Sequence, residues 1–254
     1  MSEGIQSVKR ALYILERLAA SKDGVTAAEI ARELGVNRST AFRLIETLVE
    51  GGYARQSDIT KRYHLTMKVF SIGSKLIDQL DIRTHARNIL ENLRDQTGLT
   101  VHLGLRDLYE VVYIDKITGK NPIQMYSMIG RRAPLYCTGL GKAILAFLKE
   151  NEIKDFLRCV KLKKFTNNTI SEPERLIAEI EQIRNKGYAL DLEEHEKGIR
   201  CVGAPIFNYH NEVIGSISLA AVAITLGEKN IEEYANDVIN AAKTLSSLLG
   251  ASDL

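Results

Sequence analysis

Between Thr26 and Val49 the sequence holds two short helical patterns separated by a break of only a few residues, and few folds accept that arrangement. Thr26-Ala-Ala-Glu29 has the form of a capping box, in which a threonine hydroxyl and a glutamate three residues on satisfy each other's backbone N–H groups. The pattern it opens runs to about Leu34, and Gly35 supplies a residue tolerant of positive φ. Asn37 then caps a second pattern with Ala41, Leu44, Ile45, Leu48 and Val49 on one face, stopped by Gly51-Gly52. Ile30, Ala31, Leu34, Gly35, Val36, Ala41 and Leu44 fall where a tightly crossed helix pair needs core, small, core, turn, core, core and core.

The flanks extend the motif. Upstream, Ile5, Val8, Ala11, Leu12, Leu15, Leu18 and Ala19 recur at helical spacing, and Gly24 closes that segment. Downstream, Tyr53-Ala-Arg-Gln and Arg62-Tyr-His-Leu65 read as two short strands around a basic tip. Three helices and a hairpin within residues 1–66 make a winged helix-turn-helix, which reads double-stranded DNA. The face of the third helix opposite its apolar stripe carries Ser39, Arg43 and Glu46, flanked by Thr40, Phe42 and Thr47. Arg43 has the guanidinium fork that matches guanine O6 and N7. Phe42 suits a thymine methyl, and Arg38, Ser39 and Thr40 at the helix start suit phosphates. Arg55, Lys61 and Arg62 on the wing would reach the DNA backbone or minor groove.

Charge supports the division. Residues 1–80 carry 12 basic against 9 acidic side chains, and residues 81–254 carry 22 against 23, so the small excess of positive charge lies in the N-terminal part. The net charge of +2 over 254 residues excludes a polycation that coats nucleic acid without selection. Three widely spaced cysteines with no C-x-x-C give no disulfide framework and fit a reducing cytoplasm. The longest nearly apolar run, Val213 to Leu226, is too short and too rich in hydroxyls to span a bilayer as a helix, and no secretory leader is read at the N-terminus.

Residues 67–80 predict an apolar linker helix, with Val69, Phe70, Ile72, Gly73, Leu76 and Ile77 able to bury against a partner subunit. Ile82 to Gln96 predicts another helix. Over residues 81–254, strands are expected at Leu99–Arg106, Glu110–Ile117, Pro122–Ile129, Tyr188–Glu193, Ile199–Phe207 and Val213–Ala221. Helices are expected at Thr138–Lys149, Pro173–Lys186 and Glu228–Leu249. Adjacent strands with short connections describe an antiparallel sheet flanked by helices, and the whole chain is α+β.

No phosphate-binding loop, nucleophile elbow, zinc-protease motif or dinucleotide fingerprint is present, so no enzyme or cofactor is expected. Thr138-Gly-Leu-Gly141-Lys-Ala opens a helix, whose first N–H groups and dipole are able to hold an anion or simply begin a packed helix. Cys137, Cys201 and His195 leave a second reading open, a DNA-binding regulator that senses a metal or redox state.

The chain resembles bacterial transcription regulators of the isocitrate lyase regulator (IclR) family over about residues 5–250. Ser7-Val-Lys-Arg-Ala-Leu, Arg38-Ser-Thr-Ala-Phe-Arg-Leu-Ile and Gly52-Tyr with Arg62-Tyr-His-Leu65 match its winged helix. Gly187-x3-Asp191-x2-Glu194-x6-Cys201-Val-Gly203-x2-Ile206-Phe-Asn208 and Arg132-Ala-Pro-Leu135 with Thr138-Gly-Leu-Gly-Lys-Ala143 match its C-terminal half. The resemblance implies a GAF-like effector domain, dimers that often pair into tetramers, and the sensing of a small organic or sugar acid by a regulator, expected to be a repressor, of a catabolic operon. It carries the effector pocket to Met125, Ala133, Gly139, Leu140, Asp191, Ile199, Cys201 and Ser218, and to Ala220, where relatives have a serine. An effector carboxylate would sit at the N–H groups of Gly139 to Gly141, so a side chain at Gly139 is expected to block it. Asp191 would repel that carboxylate but accept hydrogen bonds from effector hydroxyls, which favours a hydroxylated acid.

Overall fold

The computed structural model describes residues 5–79, 81–120, 127–227 and 231–252, without the side chains of 74–79 and 81. The chain divides into two compact units, Met1–Gln79 and Leu80–Leu254.

In the first unit, α1 (Gln6–Ala19), α2 (Ala27–Leu34) and α3 (Arg38–Glu50) precede the hairpin of β1 (Ala54–Gln56) and β2 (Tyr63–Leu65), and α4 (Met67–Gln79) follows. The capping chemistry is in place. Glu29 N–H donates to Thr26 Oγ1 at 3.2 Å, and Thr26 N–H donates to Glu29 Oε2 at 2.7 Å. Gly35 ends α2 at φ 63°, where a side chain would be strained, and Asn37 Oδ1 accepts from Thr40 N–H at 2.8 Å to start α3. Ile14, Ile30, Ala41 and Ile45 are fully buried where α1, α2 and α3 meet. Tyr63 and Val25 exchange two backbone hydrogen bonds, which tie the wing to the segment before α2.

The second unit is one six-stranded sheet ordered β5-β4-β3-β8-β7-β6, antiparallel at every pairing. Its strands are β3 (Thr100–Asp107), β4 (Glu110–Ile117), β5 (Arg132–Pro134), β6 (Ala189–Leu192), β7 (Ile199–Phe207) and β8 (Val213–Val222). Both faces are covered. The helices α5 (Asp81–Thr97) and α9 (Ile231–Leu248) share one core with Val101, Leu103, Val202 and Leu219. On the other face α6 (Gly139–Ala146), α7 (Glu150–Cys159) and α8 (Pro173–Lys186) share a second core with Val111, Leu135 and Ala189. Burial on both sides explains why β7 and β8 read as nearly continuous apolar runs rather than clean alternations.

Two sequence expectations change. Of the strand expected at Pro122–Ile129, residues 122–126 lie outside the described residues, and Ser127–Ile129 form no strand. There Arg131 N–H turns back onto Met128 O at 3.0 Å. The short strand β5, at Arg132–Pro134, pairs with the β4 edge instead. The helix expected to run to Lys149 ends at Ala146, and a separate helix, α7, starts at Glu150, with Glu152 accepting from Lys149 N–H at 3.1 Å.

Candidate functional site

On the first unit, the buried stripe of α3 is Ala41, Ile45 and Leu48, which turns Arg38, Ser39, Phe42 and Arg43 outward; all four are exposed, and Thr40 is half-buried. Ser39 Oγ donates to Asn37 Oδ1 at 2.9 Å, so the capping side chain also orients the helix start. Ser7 and Arg10 of α1 border the same surface as Thr40, Phe42 and Arg43. The sequence reading missed Arg10 because it sits on a different helix. On the wing, Arg55 and Lys61 are exposed, and Lys61 sits at the tip with φ 56°. Arg62, the third wing residue, already has a partner. Its Nη1 lies 3.1 Å from Glu29 Oε2, so the carboxylate that closes the α2 capping box already holds this guanidinium.

On the second unit, α6 presses its first turn onto the sheet. A Cβ added at Gly203 of β7 would lie 2.5 Å from Gly139 O, and one added at Gly141 would lie 2.5 Å from Leu135 Cα. The helix therefore approaches β7 and the segment after β5 as closely as backbones permit, and Ser216 Oγ donates to Leu140 O at 2.9 Å beneath it. Thr138 Oγ1 accepts from Gly141 N–H at 2.9 Å. The N–H groups of Gly139 and Leu140, the first two of the helix, have no hydrogen-bond partner among the described residues and look onto a small cleft.

The cleft has a volume of about 30 Å³ and is bounded by Tyr113, Ser127, Thr138, Gly139, Leu140, Asp191, His195, Glu196 and Ile199. Four of the sequence-expected residues, Gly139, Leu140, Asp191 and Ile199, thus meet in one place. Cys201 stands opposite Asp191 in the β6/β7 register, with its Cβ 3.0 Å from a Cβ built on Gly139. Ala220 lies opposite Cys201, and Ser218 opposite Gly203, one row further along the sheet. Ala133 is buried in the core between the sheet and α6–α8 and lies off the cleft wall, and Met125 is outside the described residues. Tyr113, Ser127 and Glu196 were missed, because only strand register and loop closure bring them to α6, and His195, singled out only for a metal or redox role, lines this cleft as well.

The electrostatics differ from the sequence expectation. Asp191 is buried, and burial together with the neighbouring Glu194 carboxylate pushes its carboxyl up to about 7. It keeps its proton to a higher pH than an ordinary aspartate, so its repulsion of an anion is weaker and its protonated form is able to donate a hydrogen bond. Its Oδ1 accepts from Glu194 N–H at 2.7 Å. Behind it, buried Lys142 donates to Glu194 Oε1 at 2.5 Å and to Glu179 Oε1 at 2.8 Å. Burial opposes the Lys142 charge, but the two carboxylates win and hold the ammonium protonated. A side chain at Gly139 would point at Cys201 and the sheet, not into the cleft, which corrects the expectation that it blocks an anion directly. Burial raises both the Cys137 and Cys201 thiols above the ordinary cysteine value, and among the described residues no group of three or more His, Cys, Asp or Glu side chains is placed to hold a metal ion. Among the described residues no helix is long and apolar enough to cross a membrane.

Comparison with known proteins fits both units. The IclR helix-turn-helix domain matches residues 7–58, and the bacterial transcriptional regulator IclR C-terminal domain matches residues 74–247. The HTH-type transcriptional regulator XynR of Escherichia coli is 37% identical over 246 residues, covering 97% of this chain and 98% of XynR. The HTH-type transcriptional regulator KdgR of the same organism is 33% identical over 252 residues, covering 99% and 95%. The crystal structure of the Thermotoga maritima IclR superposes with a TM-score of 0.81 at 39% identity, covering 96% of this chain and 99% of that one. The winged helix, the antiparallel effector-type domain and full-length likeness converge, and the chain belongs to the IclR family of DNA-binding transcriptional regulators.

Proposed function

We propose that this protein is a cytoplasmic, homodimeric repressor of catabolic genes that releases or rearranges on its operator when a small hydroxylated organic acid enters the second unit. The observation that carries the reading is the cleft itself. Two helix-start N–H groups, from Gly139 and Leu140, unpaired among the described residues, share the cleft with a carboxyl, Asp191, that is pushed up to about 7. The N–H groups and helix dipole favour the carboxylate of an acid. Asp191 then serves hydroxyl groups as donor or acceptor. At about 30 Å³ the cleft holds roughly one water molecule. An acid of several carbons must therefore part its walls, and that displacement is what a regulator needs.

DNA is read by the exposed face of α3, with Arg43 on bases and Arg55 and Lys61 of the wing on phosphates. A second copy of the chain covers the apolar surfaces of the first unit, where Ile5 just before α1, Val8 and Leu12 of α1, and Met67, Phe70 and Ile72 of α4 are exposed. Proteins named as repressors stand among the relatives, including the transcriptional repressor IclR of Escherichia coli and the acetate operon repressor of Salmonella typhimurium, which supports a repressing role.

The test is linkage. An operator is selected from a randomised duplex pool, and acids of two to six carbons are screened by thermal shift. A binding acid should change operator affinity, and the operator should change the acid's affinity by the same factor, with a typical coupling of about 1–3 kcal/mol. Equal acid affinity with and without saturating operator would overturn the reading.

A further inference from the structure

His102 lies at the centre of the sheet, 2% exposed, and its Nε2 has no hydrogen-bond partner among the described residues. A buried unsatisfied ring nitrogen is rare, because its desolvation is not repaid by a bond. The register shows which way it faces. In β3, His102 and Gly104 share a face, since side chains alternate along a strand. A Cβ on Gly104 would meet Leu140 Cδ1 of α6 at 3.1 Å, so that face looks toward the start of α6. His102 is paired with Ser218 on one side and Lys116 on the other, in the row that also contains Gly203, directly under Gly139. Its ring packs edge-on to Tyr113 at 5.3 Å between centroids, and Tyr113 bounds the cleft. The Lys116 ammonium donates to Ser127 O at 2.8 Å and Ser127 Oγ at 3.1 Å, which puts it at the same wall.

We propose that His102, with Ser218 and Lys116 beside it, forms an inner subsite in which His102 Nε2 hydrogen-bonds a hydroxyl of the effector. The inference rests on the acid-binding reading above and names the group that selects among acids. A neutral imidazole suits a hydroxyl in either tautomer, as donor to its oxygen or acceptor from its hydrogen. Burial and the Lys116 charge hold the ring neutral by lowering its pKa to about 3. When the cleft walls part around an acid, the floor they uncover is this row. His102 Nε2, unpartnered among the described residues, is then the group that meets the effector hydroxyl.

The experiment measures two properties of the full-length protein and of its His102→Phe and His102→Gln variants. Melting temperature without ligand separates a waiting group from a structural one. Phenylalanine removes an unsatisfied nitrogen from an apolar surround, so His102→Phe should melt at or above the parent temperature. Affinity is then measured by calorimetry for acids matched in carbon number, gluconate against hexanoate and lactate against propionate. The parent should prefer the hydroxylated member of at least one pair. His102→Phe should weaken that member about tenfold or more and leave the bare acid within about twofold, while His102→Gln restores part of the preference. A parent-like preference in His102→Phe would overturn the subsite, as would equal weakening of both acids or a parent that prefers the bare acid. If both variants melt well below the parent, the ring is structural and the proposal falls. A parent that binds no acid at all overturns the acid-sensing reading itself, a result distinguishable from each of the others.

Discussion

Gly203 in β7 lies so close beneath Gly139 in α6 that a single added carbon on Gly203 would stand 2.5 Å from the Gly139 carbonyl oxygen. This approach of two backbones sets the height of α6 above the sheet and so the depth of the cleft. Gly203→Ala should push α6 off β7 and destabilise the second unit by roughly 1–3 kcal/mol, the range for forcing extra carbons into a packed core. Denaturant unfolding measures the loss. Parent-like stability would mean that the contact is not set by backbone.

Lys142 and Glu194 offer a sharper case. Lys142 is 1% exposed, and Glu194 has one oxygen on it while Oε2 is unpartnered among the described residues. Lys142→Met strands a buried carboxylate, and breaking a buried pair from one side costs about 3–5 kcal/mol. Adding Glu194→Gln should recover much of that, because the second charge is removed too. A double variant as unstable as Lys142→Met alone would show that charge is not the cause.

Asp191 should make stability depend on pH. Its folded carboxyl titrates at about 7 against an ordinary 3.8, so the folded state holds a proton that the unfolded chain has lost. The contribution is fully present below about pH 4 and is lost as pH rises toward 7. Asp191→Asn keeps an acceptor for Glu194 N–H and has no proton to lose. The stability of the variant relative to the parent should therefore climb by roughly 1.4 kcal/mol per pH unit across that window. Urea unfolding at four or five pH values checks it, and parallel parent and variant profiles would contradict the assignment.

DNA reading should divide between α3 and the wing. Arg43→Ala is expected to weaken operator binding by roughly 1–3 kcal/mol and relax specificity at one base pair. Lys61→Ala should weaken all sequences alike and reduce the salt slope by about one. Arg62→Ala should instead lower the stability of the first unit, since its guanidinium is held by Glu29. Competition titrations at two salt concentrations separate these effects, and unchanged specificity in Arg43→Ala would remove it from the base-reading role.

Phe70, 65% exposed on α4, tests the dimer. Phe70→Asp should raise the monomer fraction in sedimentation while the isolated chain keeps its helical signal. Effector and operator should uncouple in the same variant, because α4 is the covalent route between the two units. A fully dimeric, fully coupled variant would place the subunit contact elsewhere.

Capping, turn and stripe signals acted locally, and so the sequence alone determined the winged helix. The Thr26/Glu29 box, Gly35, Asn37 and the Ala41–Ile45–Leu48 stripe each depend on residues within a few positions, and each formed where the pattern placed it. The strands from Glu110 to Ile117 and from Ile199 to Phe207 were legible for the same reason. The cleft was legible only in part. Gly139, Asp191 and Ile199 came from the family's pattern, but what surrounds them is set by the order β5-β4-β3-β8-β7-β6, which no local spacing encodes. That order carries His102 from position 102 to stand between Ser218 and Lys116. Tertiary structure alone decided that Arg62 pairs with Glu29 and that a side chain at Gly139 faces Cys201. It also decided that the Asp191 carboxyl is pushed up to about 7, because its desolvation exists only once distant strands have closed around it.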